Sequence, residues 1–199
     1  MPSAAILAGG RARRFGGRDK SRLLVDGRSI LERQIAELSA VADDILIVGA
    51  APVPRAPAPP GVRWVPDRLP DRGPLGGLDA ALAAARHAAI VLVACDMPFV
   101  TARLFGHLLA SLEGVDAAVP VTERGPHPLC AAYARECEGI VVQLLAENRL
   151  AMRELLERVR VREVGLADLA RFGPPARLLA NVNSPAEFDD LHTLPGHTR

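Results

Sequence analysis

The sequence predicts an α/β fold in which helices cover both faces of a mostly parallel sheet. Short apolar runs alternate with helix-like segments along nearly all of the 199 residues, the arrangement typical of strands joined by crossover helices. The run 89–94 is apolar at every position, as expected for a strand buried on both faces. This length suits one well-buried domain, which we expect over 1–191, with a frayed tail at 192–199.

The strands are predicted from short apolar runs that end at glycine or at polar residues. The first run, 4–8, stops at a pair of glycines, and the second, 45–48, stops at Gly49. Further strands are predicted at 62–65, 89–94, 117–121 and 129–133. The proline- and alanine-rich segment 50–61 is interpreted as a surface connection, because two strands before it are too few for a separate core.

The helices are predicted from capping residues and from apolar spacing. Ser29 precedes a helix in which Ile30, Leu31, Ile35 and Leu38 share one face. Glycines and a proline at 73–77 open a helix through Ala85, and Thr101 caps one that continues to about Leu112. Helical patterns follow at 139–146 and 152–158, and a capping box with proline at the first helical position starts a last helix at Ser184.

The composition favours a cytoplasmic protein with no nucleic-acid or membrane partner. The formal net charge of +1 provides no field to attract nucleic acid or an acidic membrane. The three cysteines, Cys95, Cys130 and Cys137, lack paired spacing, so they are interpreted as small buried residues in a reducing compartment. The first eight residues lack a signal-peptide pattern. The arginine-rich stretch 153–162 is interpreted as a solvated helix surface rather than a docking face.

The glycine- and arginine-rich segment 9–20 is predicted to bind a polyphosphate. It matches neither the Walker A pattern nor the dinucleotide pattern, but its glycines allow backbone N–H groups to turn inward around an anion. Arg14 and Lys20 bring positive charge to the same place. Lys20 is the only lysine in the sequence, and its compact charge suits a tight phosphate pocket. The alternative is a long solvated turn with scattered arginines.

Asp96 is predicted to bind a magnesium ion. It follows the apolar run 89–94 and a cysteine, and an acid at the end of a buried strand is costly unless it is paired or coordinates a cation. Mg²⁺ prefers one or two carboxylates together with phosphate oxygens and water. Because ligands gather at the carboxyl ends of parallel strands, segments 9–20 and 95–98 are expected to meet in one crevice. The alternative role for Asp96 is in a turn before Pro98.

Five motifs run in one order across nearly the whole chain. They are LAGGRARRFGGRDK at 7–20, PDRLPDRGPLGGL at 66–78, ACDMPF at 94–99, the pair His127-Pro128, and NVNSPAEF at 181–188. In these motifs the chain closely resembles the molybdenum cofactor guanylyltransferases of the MobA type. The resemblance implies a Rossmann-like fold of the nucleotide-diphospho-sugar transferase kind. It also implies GMP transfer from GTP to the phosphate of molybdenum-molybdopterin, with Mg²⁺ as cofactor and pyrophosphate as product.

The resemblance also implies roles for individual residues. The nucleotide would be bound by Leu7, Ala8, Gly9, Gly10, Gly17, Lys20, Asp67 and Asp96. Catalysis would depend on Arg14, Lys20 and Asp96, and Asp96 would hold the metal. Asn181 and Asn183 would line the acceptor side, although helix capping explains them nearly as well. Transient contacts with cofactor-biosynthesis proteins or molybdoenzymes follow from the same resemblance.

One departure from the family pattern bears on the choice of base. Where family members commonly have an asparagine after the second strand, this chain has Gly49, so a side-chain contact to guanine is lost. A related nucleotidyltransferase that uses CTP or a sugar-phosphate acceptor is therefore an alternative. So is a non-catalytic nucleotide-binding or cofactor-delivery protein on the same fold, since fold alone does not decide function.

Overall fold

The computed structural model describes residues 1–8, 24–25, 27–49 and 60–182. The described strands are β1 (Ser3–Leu7), β2 (Leu24–Val25), β3 (Arg28–Ser29), β4 (Asp44–Val48), β5 (Val62–Val65), β6 (Ala89–Ala94), β7 (Ala117–Thr122), β8 (Gly125–Pro126), β9 (Cys130–Ala134) and β10 (Val161–Val164). The described helices are α1 (Ile30–Ser39), α2 (Gly73–Ala84), α3 (Ala102–Ala110), α4 (Cys137–Ala146), α5 (Met152–Leu156), α6 (Leu166–Leu169) and α7 (Pro175–Leu178).

Most of these strands form one mostly parallel sheet, as the sequence predicts. Its order is β10-β7-β9-β6-β1-β4-β5, and β8 pairs with β7 outside this path. β1 lies parallel to both β4 and β6, β5 lies parallel to β4, and β10 lies parallel to β7. Only β9 and the short β8 run the other way within this sheet. β2 and β3 form a separate antiparallel pair.

Alternate residues of the central strands face two apolar layers, which confirms helices on both faces. In β1, Ala5 and Leu7 pack with α2, α4 and α5, whereas Ala4 and Ile6 pack with α1, α3, α6 and α7. Successive side chains of a strand point to opposite faces, so a continuously apolar strand supplies both layers at once. This is why the fully apolar runs of the sequence become the central strands.

The predicted caps of two helices are confirmed. The Ser29 side chain accepts a hydrogen bond from the backbone N–H of Glu32, whose carboxylate accepts one from the backbone N–H of Ser29. Thr101 accepts from the backbone N–H of Leu104 at the start of α3. These caps satisfy N–H groups that a helix cannot bond internally. The predicted helix at Ser184 and the tail at 192–199 lie outside the described residues.

The interpretation of 153–162 as a helix surface is correct only for residues 153–156 and wrong for the rest. α5 ends at Leu156, and the stretch continues into the edge strand β10, whose Val161 is partly buried and Val164 buried. The Arg160 guanidinium donates two hydrogen bonds to the Asp116 carboxylate, at 3.0 and 2.7 Å. These contacts hold the pKa of Asp116 below its ordinary value. β10 was missed because its two middle residues are charged and exposed, which weakens the apolar signal of a short edge strand.

The amino ends of β1 and β4 are joined by a buried acid. Asp44 is 1% exposed and accepts hydrogen bonds from the Ser3 hydroxyl at 2.7 Å, from Arg63 Nε at 2.9 Å and from the Arg86 backbone N–H at 3.0 Å. Burial opposes ionisation, but these hydrogen bonds outweigh it and lower the pKa of Asp44. The cluster lies at the edge of the sheet opposite to the candidate site.

Candidate active site at the carboxyl edge of the sheet

The carboxyl ends of β1, β4, β5 and β6 lie side by side at one edge of the sheet. Backbone hydrogen bonds continue past the strand ends, from Ala8 N to Val48 O at 2.8 Å and from Gly49 N to Val65 O at 3.0 Å. Cys95 N likewise donates to Leu7 O at 3.2 Å. The residues at which segments 9–20 and 95–98 leave the sheet are therefore neighbours. Segment 9–20 itself lies outside the described residues.

Asp96 lies in a tight turn directly after β6 and is half-buried. Met97 N donates to Ala94 O at 3.3 Å, which closes the turn. Val182 N donates to the carbonyl oxygen of Asp96 at 2.7 Å. This hydrogen bond brings the exposed Asn181 beside Asp96, two residues that are 85 positions apart in sequence. The nucleotide and acceptor assignments made from the sequence thus converge at this turn.

The segment between β5 and α2 holds Asp67 at the same edge. Asp67 follows Val65 by two residues and lies on the surface, where desolvation by its surroundings raises the pKa of its carboxyl. The next helix, α2, approaches very closely: a Cβ placed on Gly77 would lie 2.9 Å from Leu7 Cδ2. Glycine at 77 is therefore what lets the start of α2 pack against the end of β1.

A further acid, Asp79 on α2, was not predicted as part of this region from the sequence. Asp79 is 2% exposed, and Arg68 Nη1 lies 3.3 Å from its carboxylate. Burial raises the pKa of Asp79, the Arg68 charge opposes that shift, and the nearby Glu138 adds to it. The pair ties α2 to the segment that holds Asp67. A single acid within an apolar helix provides no pattern from which this contact is predictable.

β9 runs against its neighbours, so its first residues lie at the candidate site. Leu129 O accepts a hydrogen bond from Ala94 N at 2.8 Å, which sets the preceding His127-Pro128 pair near the end of β6. A ring nitrogen of His127 lies 2.8 Å from Thr122 Oγ1. Burial and then the Arg124 charge lower the pKa of His127, so its imidazole is neutral at pH 7. The sequence marked this pair only through the family resemblance.

A cleft of about 430 Å³ opens beside the turn that holds Asp96. Residues 98–101 form one wall, and α1 and segment 172–178 form the others. Its charged lining residues are Arg28, Arg33, Glu37 and Arg177. The Arg177 guanidinium lies 4.7 Å from the centre of the Phe99 ring, a cation–π contact. Arg177 is 144 positions after Arg33 in sequence, which is why no sequence pattern indicated the cleft.

The donor set fits a magnesium ion that is bound together with a nucleotide. Among the residues that the structure describes, no cluster of three or more His, Cys, Asp or Glu side chains could form an all-protein metal cage. Mg²⁺ held by substrate phosphates needs only one or two protein carboxylates. Asp96, half-buried at the strand end, could provide one of them.

Two of the three cysteines are buried core residues, as interpreted from the sequence. Burial raises the pKa of Cys130 and of Cys137 to about 12, so neither thiol ionises at neutral pH. Cys95 is half-buried in the turn next to Asp96. All three are free thiols.

The sequence-predicted site residues divide into two groups. Those within the described residues are Leu7, Ala8, Asp67, Asp96 and Asn181, and all of them lie at the carboxyl edge of the sheet. Those outside are Gly9, Gly10, Arg14, Gly17, Lys20 and Asn183. No helix within 1–8, 24–25, 27–49 or 60–182 is long and apolar enough to cross a bilayer.

Comparison with known sequences identifies similar proteins over almost the full length. Residues 4–164 match the family model of the MobA-like NTP transferase domain. The molybdenum cofactor guanylyltransferase of Desulfosudis oleivorans is 31% identical over 189 residues, covering 92% of this chain and 91% of that protein. The probable molybdenum cofactor guanylyltransferase of Pelotomaculum thermopropionicum is 32% identical over 197 residues, covering 99% and 95%.

Solved structures share the fold. Molybdopterin-guanine dinucleotide biosynthesis protein A from Archaeoglobus fulgidus superposes with a TM-score of 0.77 at 24% identity, covering 95% of this chain and 96% of that one. The 2-C-methyl-D-erythritol 4-phosphate cytidylyltransferase from Thermus thermophilus gives 0.72 at 17% identity, covering 97% and 98%. Similarity at these identities extends to the fold alone, which proteins named for guanylyl and for cytidylyl transfer share.

Proposed function

The chain belongs to the MobA-like NTP transferase domain family, and from this premise we propose that it transfers GMP from GTP to the phosphate of molybdenum-molybdopterin. The products are molybdopterin guanine dinucleotide and pyrophosphate. Support comes from the named relatives that are at least 30% identical over nine tenths of the chain. We place the enzyme in the cytoplasm, consistent with its three free cysteines, and expect transient contacts with proteins that deliver or receive the cofactor.

The observation that carries the proposal is the hydrogen bond from Cys95 N to Leu7 O at 3.2 Å. It joins the end of the strand that leads into segment 9–20 to the end of the strand that leads into Asp96. A nucleoside triphosphate bound by the glycines of that segment would therefore have its phosphates close to the Asp96 carboxylate. The pairing of β1 with β6 therefore sets the starts of the proposed phosphate-binding segment and of the proposed metal-binding turn side by side.

The reaction requires positioning and charge stabilisation more than it requires a base. The acceptor phosphate is already an anion at neutral pH, and it attacks the α-phosphorus of GTP as pyrophosphate leaves. Arg14 and Lys20 stabilise the charge that builds on the phosphate oxygens. Asp96 would hold the Mg²⁺, which would supply Lewis-acid stabilisation of the same charge. Leu7, Ala8 and Gly9 orient the nucleotide through backbone groups.

The surroundings of Asp96 support an anionic acceptor. Asn181 lies beside the Asp96 turn, and the cleft with its three arginines is lined by residues 98–101, which follow that turn. Those arginines outnumber the one acid in the lining, Glu37, whose carboxylate already accepts the Ala102 N–H at 2.6 Å. A phosphate ester with a flat ring system matches such a basic, aromatic lining. We assign Asn181 and Asn183 to this acceptor side.

Guanine selection has to proceed without an asparagine side chain at the end of β4. Gly49 has φ of 128°, a conformation that glycine adopts freely and that a side chain there would strain. We propose that backbone groups at the ends of β4 and β5, together with Asp67, contact the guanosine. CTP as the donor, a sugar phosphate as the acceptor, and binding without catalysis are the alternative outcomes.

The test is pyrophosphate release by the purified protein with Mg²⁺ and molybdenum-loaded molybdopterin, comparing GTP with CTP. Release with GTP alone supports the proposal, whereas release with CTP moves the chain to the cytidylyl activity. Tight GTP binding without any release supports a non-catalytic role. Asp96→Asn should abolish metal-dependent turnover, and Lys20→Ala should lower the rate on the order of 10²-fold, as for other preorganised donors. Normal turnover by either variant refutes the role given to that residue.

A further inference from the structure

A buried glutamine on α1 is bonded to the turn that holds Asp96. Gln34 is 1% exposed, and its side-chain amide nitrogen donates to Ala94 O at 2.8 Å and to Met97 O at 3.0 Å. Both partners are carbonyl oxygens, so only the NH₂ end of the amide satisfies them, and both of its hydrogens are used. The two carbonyls lie on either side of Cys95 and Asp96. One side chain thus clamps the turn at both ends.

Placing an amide side chain at this buried position has an energetic cost. Gln34 lies on the buried face of α1 between Ile30 and Leu38, where an apolar side chain continues the pattern of the helix. Burying an amide in such a layer is unfavourable without hydrogen bonds. Within the part of the chain that the structure describes, Gln34 Oε1 has no hydrogen-bond partner, so part of that cost is uncompensated.

The same helix fixes the far end of the loop as well. Glu37, one turn after Gln34, accepts the backbone N–H of Ala102 at the start of α3 at 2.6 Å. Val182 N and Leu7 O hold the turn itself, through Asp96 O and Cys95 N. α1 therefore holds segment 94–102 at both ends, while β1 and Val182 hold Cys95 and Asp96 near its start.

We propose that Gln34 is the positioning residue for Asp96: it fixes the backbone of the turn so that the Asp96 carboxylate is held in place for the metal–nucleotide complex. This inference rests on the proposed function, because it takes Asp96 as the metal ligand. Loss of the amide removes the hydrogen bond at 2.8 Å to Ala94 O, leaves the longer one from Met97 N at 3.3 Å, and frees the turn to relax. Metal affinity then falls even though every proposed metal and phosphate ligand is still present.

The test compares Gln34→Met with a control variant, Leu38→Ala, in the full-length protein. Methionine keeps the length and volume of the side chain but removes both hydrogen bonds. Leu38 is fully buried one turn further along α1 and packs in an apolar layer, but its side chain has no polar atom that could form a hydrogen bond to the turn. Mn²⁺ binding in the presence of GTP is measured by electron paramagnetic resonance, and the Mg²⁺ requirement is measured from GTP-dependent pyrophosphate release. Urea unfolding of each variant reports stability separately.

The expected result is a roughly tenfold weaker Mn²⁺ affinity for Gln34→Met, with wild-type affinity for Leu38→Ala despite its lower stability. An unchanged affinity in Gln34→Met overturns the inference, and so does an equal loss in Leu38→Ala, which would make the effect one of stability alone. Wild type and Asp96→Asn separate this outcome from failure of the proposed function. If wild type does not bind Mn²⁺ with GTP, or if Asp96→Asn binds it equally well, the metal role of Asp96 is wrong and the inference falls with it.

Discussion

Replacing Gly77 by alanine tests the close approach of α2 to the end of β1. The new Cβ would lie 2.9 Å from Leu7 Cδ2, 3.4 Å from Cδ1 and 3.6 Å from Cγ. Leu7 is 7% exposed within a packed apolar layer, so its side chain has little room to withdraw. Relief therefore requires a strained Leu7 rotamer or movement of α2 away from β1.

The size of the effect follows from two opposing contributions. Overpacking in a core costs about 1–3 kcal/mol, whereas alanine is favoured over glycine within a helix by about 0.5–1 kcal/mol. We expect a net decrease in the free energy of unfolding of about 1 kcal/mol. For a chain of this size that corresponds to a fall of about 2–4 °C in Tm. GTP affinity should fall as well, since Leu7 and Ala8 are proposed to contact the nucleotide.

Gly106→Ala is the matched control. Gly106 lies within α3, where the nearest atom to a new Cβ is Val41 Cγ1 at 4.0 Å, so only the helix preference remains and stability should rise by about 0.5–1 kcal/mol. Urea unfolding followed by circular dichroism measures both variants against wild type. Gly77→Ala at or above wild-type stability would refute the packing argument, and a Gly106→Ala that loses stability would refute the helix argument.

Three further variants test other parts of the structure. Asp44→Asn should lower the free energy of unfolding at pH 7 by about 2 kcal/mol. Because the pKa of Asp44 is lowered by folding, its contribution exists above the ordinary value of 3.8 and is lost as pH falls through the folded value, so urea unfolding should show a smaller difference at pH 3. Tyr133→Phe should cost about 1 kcal/mol in the same assay, since the hydroxyl donates to Pro128 O at 2.8 Å. Arg177→Ala should raise the KM for the acceptor about tenfold at unchanged KM for GTP, and the exposed Arg171→Ala should change neither.

The sequence predicted the central elements because their signals are local. Continuous apolar runs become β1, β4 and β6, and capping residues such as Ser29 and Thr101 mark the first turns of α1 and α3. Such signals depend on neighbours within a few residues of each other. The same locality explains the errors: β10 has charged middle residues, and the predicted helix over 152–158 ends two residues early.

For the site, the sequence by itself determined which residues leave the carboxyl ends of the strands. A parallel sheet brings those ends to one edge, so segments 9–20 and 95–98 were predicted to meet there. The structure joins Cys95 N to Leu7 O, at the ends of the two strands from which these segments leave the sheet. The glycine-rich segment and Lys20 were likewise assigned from sequence alone, and their roles stay predictions.

Only the tertiary structure decided which residues support that site from a distance. Gln34 reaches carbonyl groups 60 and 63 positions away, and Val182 bonds to Asp96 across 86. Arg28 and Arg33, near the start of the chain, line the same cleft as Arg177, near its end. Sequence patterns report the environment of a residue along its own strand or helix. They do not report which partner lies across the fold, because that depends on how all the elements pack together.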